Sequence, residues 1–335
     1  MLPDKIITLS HGGGGKRSYD LLKELIFKYL PHPEETGMGD SGLVQLSTHR
    51  IAFTTDSFVV KPLFFPGGDI GSLAVIGTAN DLAVSGARPL YLTLSFILEE
   101  GLEIEVLERV LNSLREAAKI SGVKIISGDT KVVEKGSGDR IFINTSGIGE
   151  LLEGWDISPH SLKGDEVIIV NGTIGEHGIT IINEREGFGF EGELRSDCAP
   201  LFPLIEKLWI NGIEVRCMRD LTRGGLGSIL KELSLSSGWG MEIWEERVPV
   251  KEEVRFACEI LGMDPLYLAN EGKMVCFVPN SQEEKTLEVL RELPQGEKAT
   301  VIGRVTRQGE EVILHTRAGG ERILDLAEEE IPRIC

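Results

Sequence analysis

Strand-like and helix-like runs alternate along almost the whole chain, and that alternation confines it to an α/β (α+β) architecture. Ile51–Thr55 reads as a strand that delivers Asp56 at its end. Ile70–Ser85 reads as a helix, with Ile70, Leu73, Ala74 and Gly77 giving a small, apolar face. Tyr91–Leu98 alternates like a strand, and Glu103–Ala118 is an amphipathic helix. Val123–Ser127 is a buried-strand candidate ending in Gly128-Asp129-Thr130, and Arg140–Ile148 is another strand. A turn-rich stretch, Gly154–Gly164, marks a boundary, after which the style repeats. Glu166–Val170, Val215–Met218 and Met274–Val278 read as strands, and Pro200–Asn211, Leu226–Ser236 and Gln282–Leu293 as helices. Thr300–Val305 and Val312–His315 form a closing pair of strands, and Gly187–Glu193 reads as a mobile loop. The expectation is two α/β domains, 1–155 and 156–322, and a flexible tail, 323–335, ending in Cys335.

With 335 residues, 41% of them hydrophobic, there is ample material for such cores. A net charge of −18 with no basic stripe argues against a nucleic-acid surface. No apolar run approaches the roughly 20 residues that span a bilayer, and the start lacks the features of a signal peptide. Five scattered cysteines without CxxC pairs fit a reducing compartment, so a cytoplasmic location is expected. Cys198, Cys217, Cys258 and Cys276 sit in or beside apolar segments and read as core residues.

Anionic ligands remain possible, bound locally by backbone amides, helix N-termini or carboxylate-held cations. Gly12, Gly13, Gly14 and Gly15, followed by Lys16, either wrap a phosphate chain or form a linker. Arg17 stands where a Walker A loop needs Ser or Thr. Asp40, Asp56, Asp69, Asp81 and Asp129 recur where elements meet loops. Several such carboxylates converging would suit magnesium with a nucleotide, whereas any one alone is more often a cap or turn former. Asp69, after two glycines and before a helix, reads as that helix's N-cap. Arg219 to Gly227 sets two arginines and Asp220 before a glycine turn and a helix, a plausible anion cradle. Glu271, in Asn270-Glu271-Gly272-Lys273, is either a general base or a turn residue. His177 is the one histidine framed by glycines.

Ten extended residues would carry a terminal thiol roughly 30 Å. Thiolate sulfur is a strong nucleophile that forms labile acyl-type bonds. In an extended tail Arg333 lies on the same side as Cys335 and offsets the neighbouring α-carboxylate, while Pro332 restricts the bend before it. Alone, such a cysteine reads as a frayed end.

The set of motifs, however, resembles one family end to end. The glycine-rich loop, GDSG (39–42), TTDSFVV (54–60), PLFFPGGDIGSLAVIGTANDLAVSGARP (62–89), SGDTKVV (127–133), RDLTRGGLG (219–227), NEGK (270–273) and the final PRIC are similar to the HypE hydrogenase maturation factors. Parts are shared with aminoimidazole ribonucleotide synthetase, selenophosphate synthetase and thiamine-monophosphate kinase, but PRIC separates HypE from these. Selenophosphate synthetase would carry a reactive Cys or selenocysteine near the glycine loop, where this chain has Ser10 and His11. Thiamine-monophosphate kinase would not need Cys335, and a scaffold that only carries the thiol would hydrolyse no ATP.

The resemblance implies a homodimer whose N-terminal domains form a shared β-barrel and bind ATP near the interface. It implies an ATP-dependent carbamoyl dehydratase: a carbamoyl group received on Cys335 from the carbamoyltransferase HypF is dehydrated to a thiocyanate. The cyano group then passes to iron held by the HypC–HypD complex, for the [NiFe] hydrogenase centre. By resemblance Asp40, Asp56, Asp81 and Asp129 hold Mg2+ and ATP, with Lys131 and the Gly12–Lys16 loop at the phosphates. Asn80, Asp220 and Arg223 are assigned to the same site, and Glu271 and His177 lie near the tail thiol.

Overall fold

A computed structural model describes residues 5–13, 15–30, 44–190 and 192–327. Gly14, Asp40, Pro332, Arg333 and Cys335 lie outside the described residues. The first half is built on a four-stranded sheet of β1 (Ile51–Phe58), β2 (Ala87–Glu99), β3 (Lys124–Val133) and β4 (Ile141–Leu151), in the order β1-β4-β2-β3. β4 pairs antiparallel with β1 and β2, and β3 lies parallel to β2. Two helices, α1 (Ile70–Val84) and α2 (Ile104–Ser121), cover one face. The other face is open and carries Ile51, Phe53 and Ile97 as exposed apolar side chains.

Asp69 caps α1 as its position suggested, accepting from the N–H groups of Gly71 and Ser72 at 2.7 and 3.0 Å. The helix is not amphipathic, however: it is buried on nearly every side, because the second half packs against the flank turned away from the sheet. Such a helix reads as continuously apolar, and the small-residue face was only part of its contact surface. β1 continues past the expected end, so Asp56 lies within the strand. β3 is a partly exposed edge strand rather than a buried one, and it runs straight through Gly128-Asp129-Thr130. Upstream of the glycine loop, Lys5–Leu9 makes no regular strand. Ile6 forms one isolated bridge to Glu103, and a 3-10 turn, Leu9–His11, follows.

The second half holds a seven-stranded sheet made of β5 (Glu166–Val170), β6 (Cys217–Asp220), β7 (Trp239–Trp244), β8 (Met274–Pro279), β9 (Thr300–Gln308), β10 (Val312–His315) and β11 (Glu321–Leu324). Their order is β11-β10-β7-β9-β5-β8-β6. The central strands alternate between two cores. Ile168, Val170, Val275 and Phe277 pack with α5 (Gly225–Ser237), and Val167, Ile169, Cys276 and Val278 pack with α4 (Phe202–Ile210) and α7 (Glu283–Arg291). Two further helices, α3 (Glu176–Glu186) and α6 (Glu252–Leu261), pack in the core that also holds α1 and α2.

β9 and β10 do not pair with each other as expected, because β7 lies between them, parallel to β10. β11 runs across the expected tail start at 323, and Asp325 is held beyond it by the Tyr267 hydroxyl at 2.9 Å. Cys217, Cys258 and Cys276 are buried thiols, each pushed up to about 12 by burial. Cys198 is only half-buried. No helix among the described residues is long and apolar enough to cross a membrane.

Candidate active site

Between β1, the C-terminal end of α1 and the loop after β6 lies a cleft of 460 Å³, lined by Asp56, Asp81, Asp220, Arg219, Arg223 and Glu271. Asp56 reaches it because alternate residues of β1 face α1, and Asp81 because it sits in the last turn of that helix. Asp220 ends β6 and is turned into the protein. Burial, then the charges of Asp220 and Asp56, push Asp81 up to about 7, although the Thr54 hydroxyl donates to it at 3.0 Å. Burial likewise raises Asp220, with Asp56 adding and Arg219 opposing. Burial also raises Asp56, against the Ser57 N–H and Arg223.

Three carboxylates raised by burial, two of them also by the charge of Asp56, in a semi-enclosed cleft fit a divalent cation. Among the described residues no group of three or more His, Cys, Asp or Glu side chains closes on a metal position without help. Magnesium, which takes one or two carboxylates and fills its shell with water and phosphate oxygens, is the cation such an open set suits.

The remaining expected ligands are elsewhere. Asp129 and Lys131 stand on β3, the opposite edge of the sheet from Asp56, three strand spacings or roughly 14 Å away. They also face the other way. Asp129 pairs in register with Ser95 on the open face, whereas Asp56 pairs with Thr145, which is buried. Asp129 is ion-paired to Lys131 at 2.9 Å, and that hydrogen bond holds its carboxyl below the usual range. The glycine loop lies with them: a Cβ on Gly12 would sit 2.8 Å from the Val132 nitrogen, so only glycine permits that approach. Gly13 and Gly15 flank open space, and Lys16 projects outward to Asp20 at 2.7 Å. The expected ligands thus form two groups within one chain.

Asn80 is also reassigned. Its amide donates to the carbonyls of Ala199 and Glu271, both at 3.1 Å, and accepts from the Leu201 N–H at 2.8 Å. Every polar atom of the side chain is engaged by backbone, so it clamps the two halves together.

The turn at Asn270–Lys273 is locked by side chains distant in sequence. Asn270 accepts from the Gly175 N–H at 2.7 Å, and Asn171 donates to the Gly272 carbonyl at 3.1 Å. Asp197 accepts from the N–H groups of Glu271 and Gly272, both at 3.2 Å, and pairs with Lys273 at 3.2 Å. Burial disfavours its charge, but Lys273, His177 and these donors prevail and keep the Asp197 carboxyl below its ordinary range. The fixed turn aims Glu271 at the cleft floor and brings its Oε1 to 4.0 Å from His177 Nε2. Burial lowers His177 to about 4, with Asp197 opposing, so the ring is neutral at physiological pH. Glu271 and His177 are therefore neighbours, while the tail thiol they were expected to flank lies outside the described residues. Asp197 and Asn171 are polar residues that the sequence reading passed over; the only cue was the crowding of small polar residues in Ser196-Asp197-Cys198-Ala199-Pro200.

An α/β chain of two halves, with an acid-lined cleft between them, defines a class. Residues 38–151 match the family described as AIR synthase related protein, N-terminal domain, and residues 163–315 match its C-terminal domain. The chain is 45% identical over 331 residues to carbamoyl dehydratase HypE of Azotobacter vinelandii, which covers 98% of this chain and 97% of that one. It is similar to the crystal structure of hydrogenase maturation protein HypE in complex with ATP. The TM-score is 0.93 at 44% identity, over 98% of this chain and 99% of that one. It also resembles a chain in the crystal structure of a HypE–HypF complex, with TM-score 0.81 and 51% identity over 84% of this chain and 92% of that one. The chain belongs to the HypE family within the AIR synthase related proteins.

Proposed function

We propose that this chain is a carbamoyl dehydratase of hydrogenase maturation, which uses ATP to convert an S-carbamoyl group on Cys335 into a thiocyanate. The observation that carries the reading is the cleft itself, where Glu271 faces Asp56, Asp81 and Asp220 across 460 Å³ of space. An amide oxygen is a poor leaving group. MgATP supplies the phosphoryl transfer that makes it a good one. Asp56, Asp81 and Asp220 would hold the cation and Arg219 and Arg223 phosphate oxygens. Glu271 takes one proton from the amide nitrogen as the amide oxygen receives the γ-phosphoryl group and ADP leaves. The second nitrogen proton departs with the phosphate as the carbon–nitrogen triple bond forms. Being turned in and largely buried, Glu271 meets the amide away from bulk water.

In this reading the chain acts as a homodimer. The open face with Ile51, Phe53 and Ile97 is covered by the same face of a second copy, and the two sheets make the shared barrel. Pairing also gives a role to the stranded group: the Gly12–Lys16 loop, Asp129 and Lys131 of one copy serve the phosphates at the neighbour's cleft. Asp40 belongs to the same assignment. Residues 1–155 bind nucleotide with help from Arg219, Asp220 and Arg223, 156–322 also supply the base, and the arm begins past Leu324, where β11 ends. A carbamoyltransferase such as the HypF of the related complex loads the tail, and a HypC–HypD type acceptor takes the cyano group, in the cytoplasm.

Intact-mass spectrometry tests this. With a carbamoyl donor and MgATP, Cys335 gains the mass of a carbamoyl group and then loses one water. The variant Cys335→Ala binds ATP and gains neither mass. Equal labelling of that variant would sink the terminal-thiol mechanism.

A further inference from the structure

Ser196 lies outside the cleft, yet its hydroxyl oxygen is 2.8 Å from His177 Nδ1. The same oxygen already accepts the Cys198 N–H at 3.2 Å. Among the described residues the hydroxyl proton has one acceptor within reach, Nδ1. The other end of the ring points to the same tautomer. Nε2 has no hydrogen-bond partner among the described residues and faces Glu271 Oε1 at 4.0 Å, where a carboxylate attracts an N–H and repels a lone pair. Both ring nitrogens are buried, so neither exchanges its role with water.

Resting on the carbamoyl dehydratase reading, we propose that Ser196 is a positioning residue that holds neutral His177 in its Nε2–H form and thereby orients Glu271 for proton abstraction. The Nε2–H is turned toward Glu271 Oε1, while Oε2 lies on the Gly77 side of the cleft. No proton passes through the ring: Glu271 gains one proton, and His177 and Ser196 keep theirs. The 4.0 Å separation is within the range of contacts that are long in a free enzyme and tighten in its loaded form.

Ser196 is itself placed by the first half of the chain. Its N–H donates to the Pro66 carbonyl at 2.8 Å, and the loop at Gly67 presses on its backbone. A Cβ on Gly67 would come within 2.5 Å of the Ser196 carbonyl oxygen, and the φ of +95° already favours glycine. The Phe65 ring meets His177 edge-on at 5.6 Å and fixes its plane. The charged groups nearby are engaged with partners of their own: Asp197 with Lys273 at 3.2 Å and Glu176 with Lys251 at 3.4 Å. Tautomer choice is thus left to Ser196 and Glu271.

The test uses the full chain labelled with 15N-histidine, with the His177 signals assigned among the six histidines by comparison with His177→Gln. The wild type is expected to carry its proton on Nε2 at neutral pH. Ser196→Ala is expected to admit the Nδ1–H form and to lower kcat about 10-fold with KM for ATP unchanged, and Ser196→Thr, which restores a hydroxyl, to recover both. A wild-type ring protonated on Nδ1 would overturn the proposal even if Ser196→Ala did not fold. So would a Ser196→Ala protein that keeps the Nε2–H signal and full kcat. A chain that holds the tautomer but never dehydrates a carbamoylated tail breaks the functional reading instead, and the NMR result separates the two failures.

Discussion

The two walls of the cleft are built on opposite principles. On the Glu271 side, each buried charge has a partner: Asp197 has Lys273 and two backbone N–H groups, and the turn above it is pinned by Asn80, Asn171 and Asn270. On the Asp56 side, three carboxylates share the cleft with two arginines; burial raises all three, and the charge of Asp56 raises Asp81 and Asp220 further. The first wall is complete without a ligand and carries geometry. The second stores like-charge repulsion that a bound cation would relieve, so its geometry depends on what binds.

Asp197→Ala should give the largest effect on stability. It leaves Lys273 largely buried without a counter-charge and orphans two backbone donors, which together cost ~3–5 kcal/mol. Urea unfolding would read this as a lower midpoint at constant slope. A loss below ~1 kcal/mol would mean that the wall is not held together as described. Asp81→Asn should do the reverse. It removes repulsion and can still accept from Thr54, so stability holds or rises, while ATP-dependent turnover falls about 100-fold or more. If Asp81→Asn unfolds as easily as Asp197→Ala, the two walls do not differ in kind.

The contrast explains what could be read from the sequence. Asp56, Asp81, Asp220 and Arg223 stand at or near element ends in recognisable motifs, and the fold does bring them to one cleft. The supporting wall was far less legible. Asp197 and Ser196 act on residues 74 and 19 positions away, and Asn171 on one 101 away, so no local spacing announces them. Helix α2 was visible because its apolar residues recur on one side, whereas α1 hid its second contact surface by being apolar all round. β7 and β11 are absent from the sequence reading; β11 is a short, exposed edge that needs β10 beside it to form. Asp129 looked like a partner of Asp56 because both end up in Asp-containing strand motifs. Sheet order and strand face, which are long-range properties, set them apart.

The walls should also respond to pH with opposite signs. Asp81 has an ordinary value of 3.8 and a folded one of about 7, so the folded state binds the extra proton, and its contribution is lost as pH rises across that interval. His177 runs the other way. Its folded value of about 4 lies below the ordinary 6.5, so the unfolded state binds the extra proton and stability is lost as pH falls from 6.5 toward 4. Relative to wild type, Asp81→Asn should gain stability as pH rises toward 7, and His177→Gln should gain as pH falls below 6.5. Each proton sets a limiting slope of about 1.4 kcal/mol per pH unit. Denaturation at pH 5, 6, 7 and 8 decides it, and parallel curves for the two variants would remove the electrostatic contrast.

Lys16→Ala gives the smallest change and tests where the second group acts. Lys16 is exposed, and its bond to Asp20 is an i,i+4 surface pair, so folding should lose no more than ~0.5 kcal/mol. In a monomer Gly12, Gly13 and Lys16 sit at the edge of the sheet opposite the acidic cleft. If the loop serves a neighbour's cleft, the same substitution weakens ATP binding several-fold. Mixing it with Asp81→Asn chains should then return ATP binding at the working cleft of the mixed dimer to the wild-type level, because that cleft has a normal Asp81 and is served by a normal Lys16. A mixed dimer that keeps the weakened ATP binding of Lys16→Ala would confine each site to a single copy and leave the glycine loop, Asp129 and Lys131 without a part in the neighbour's site.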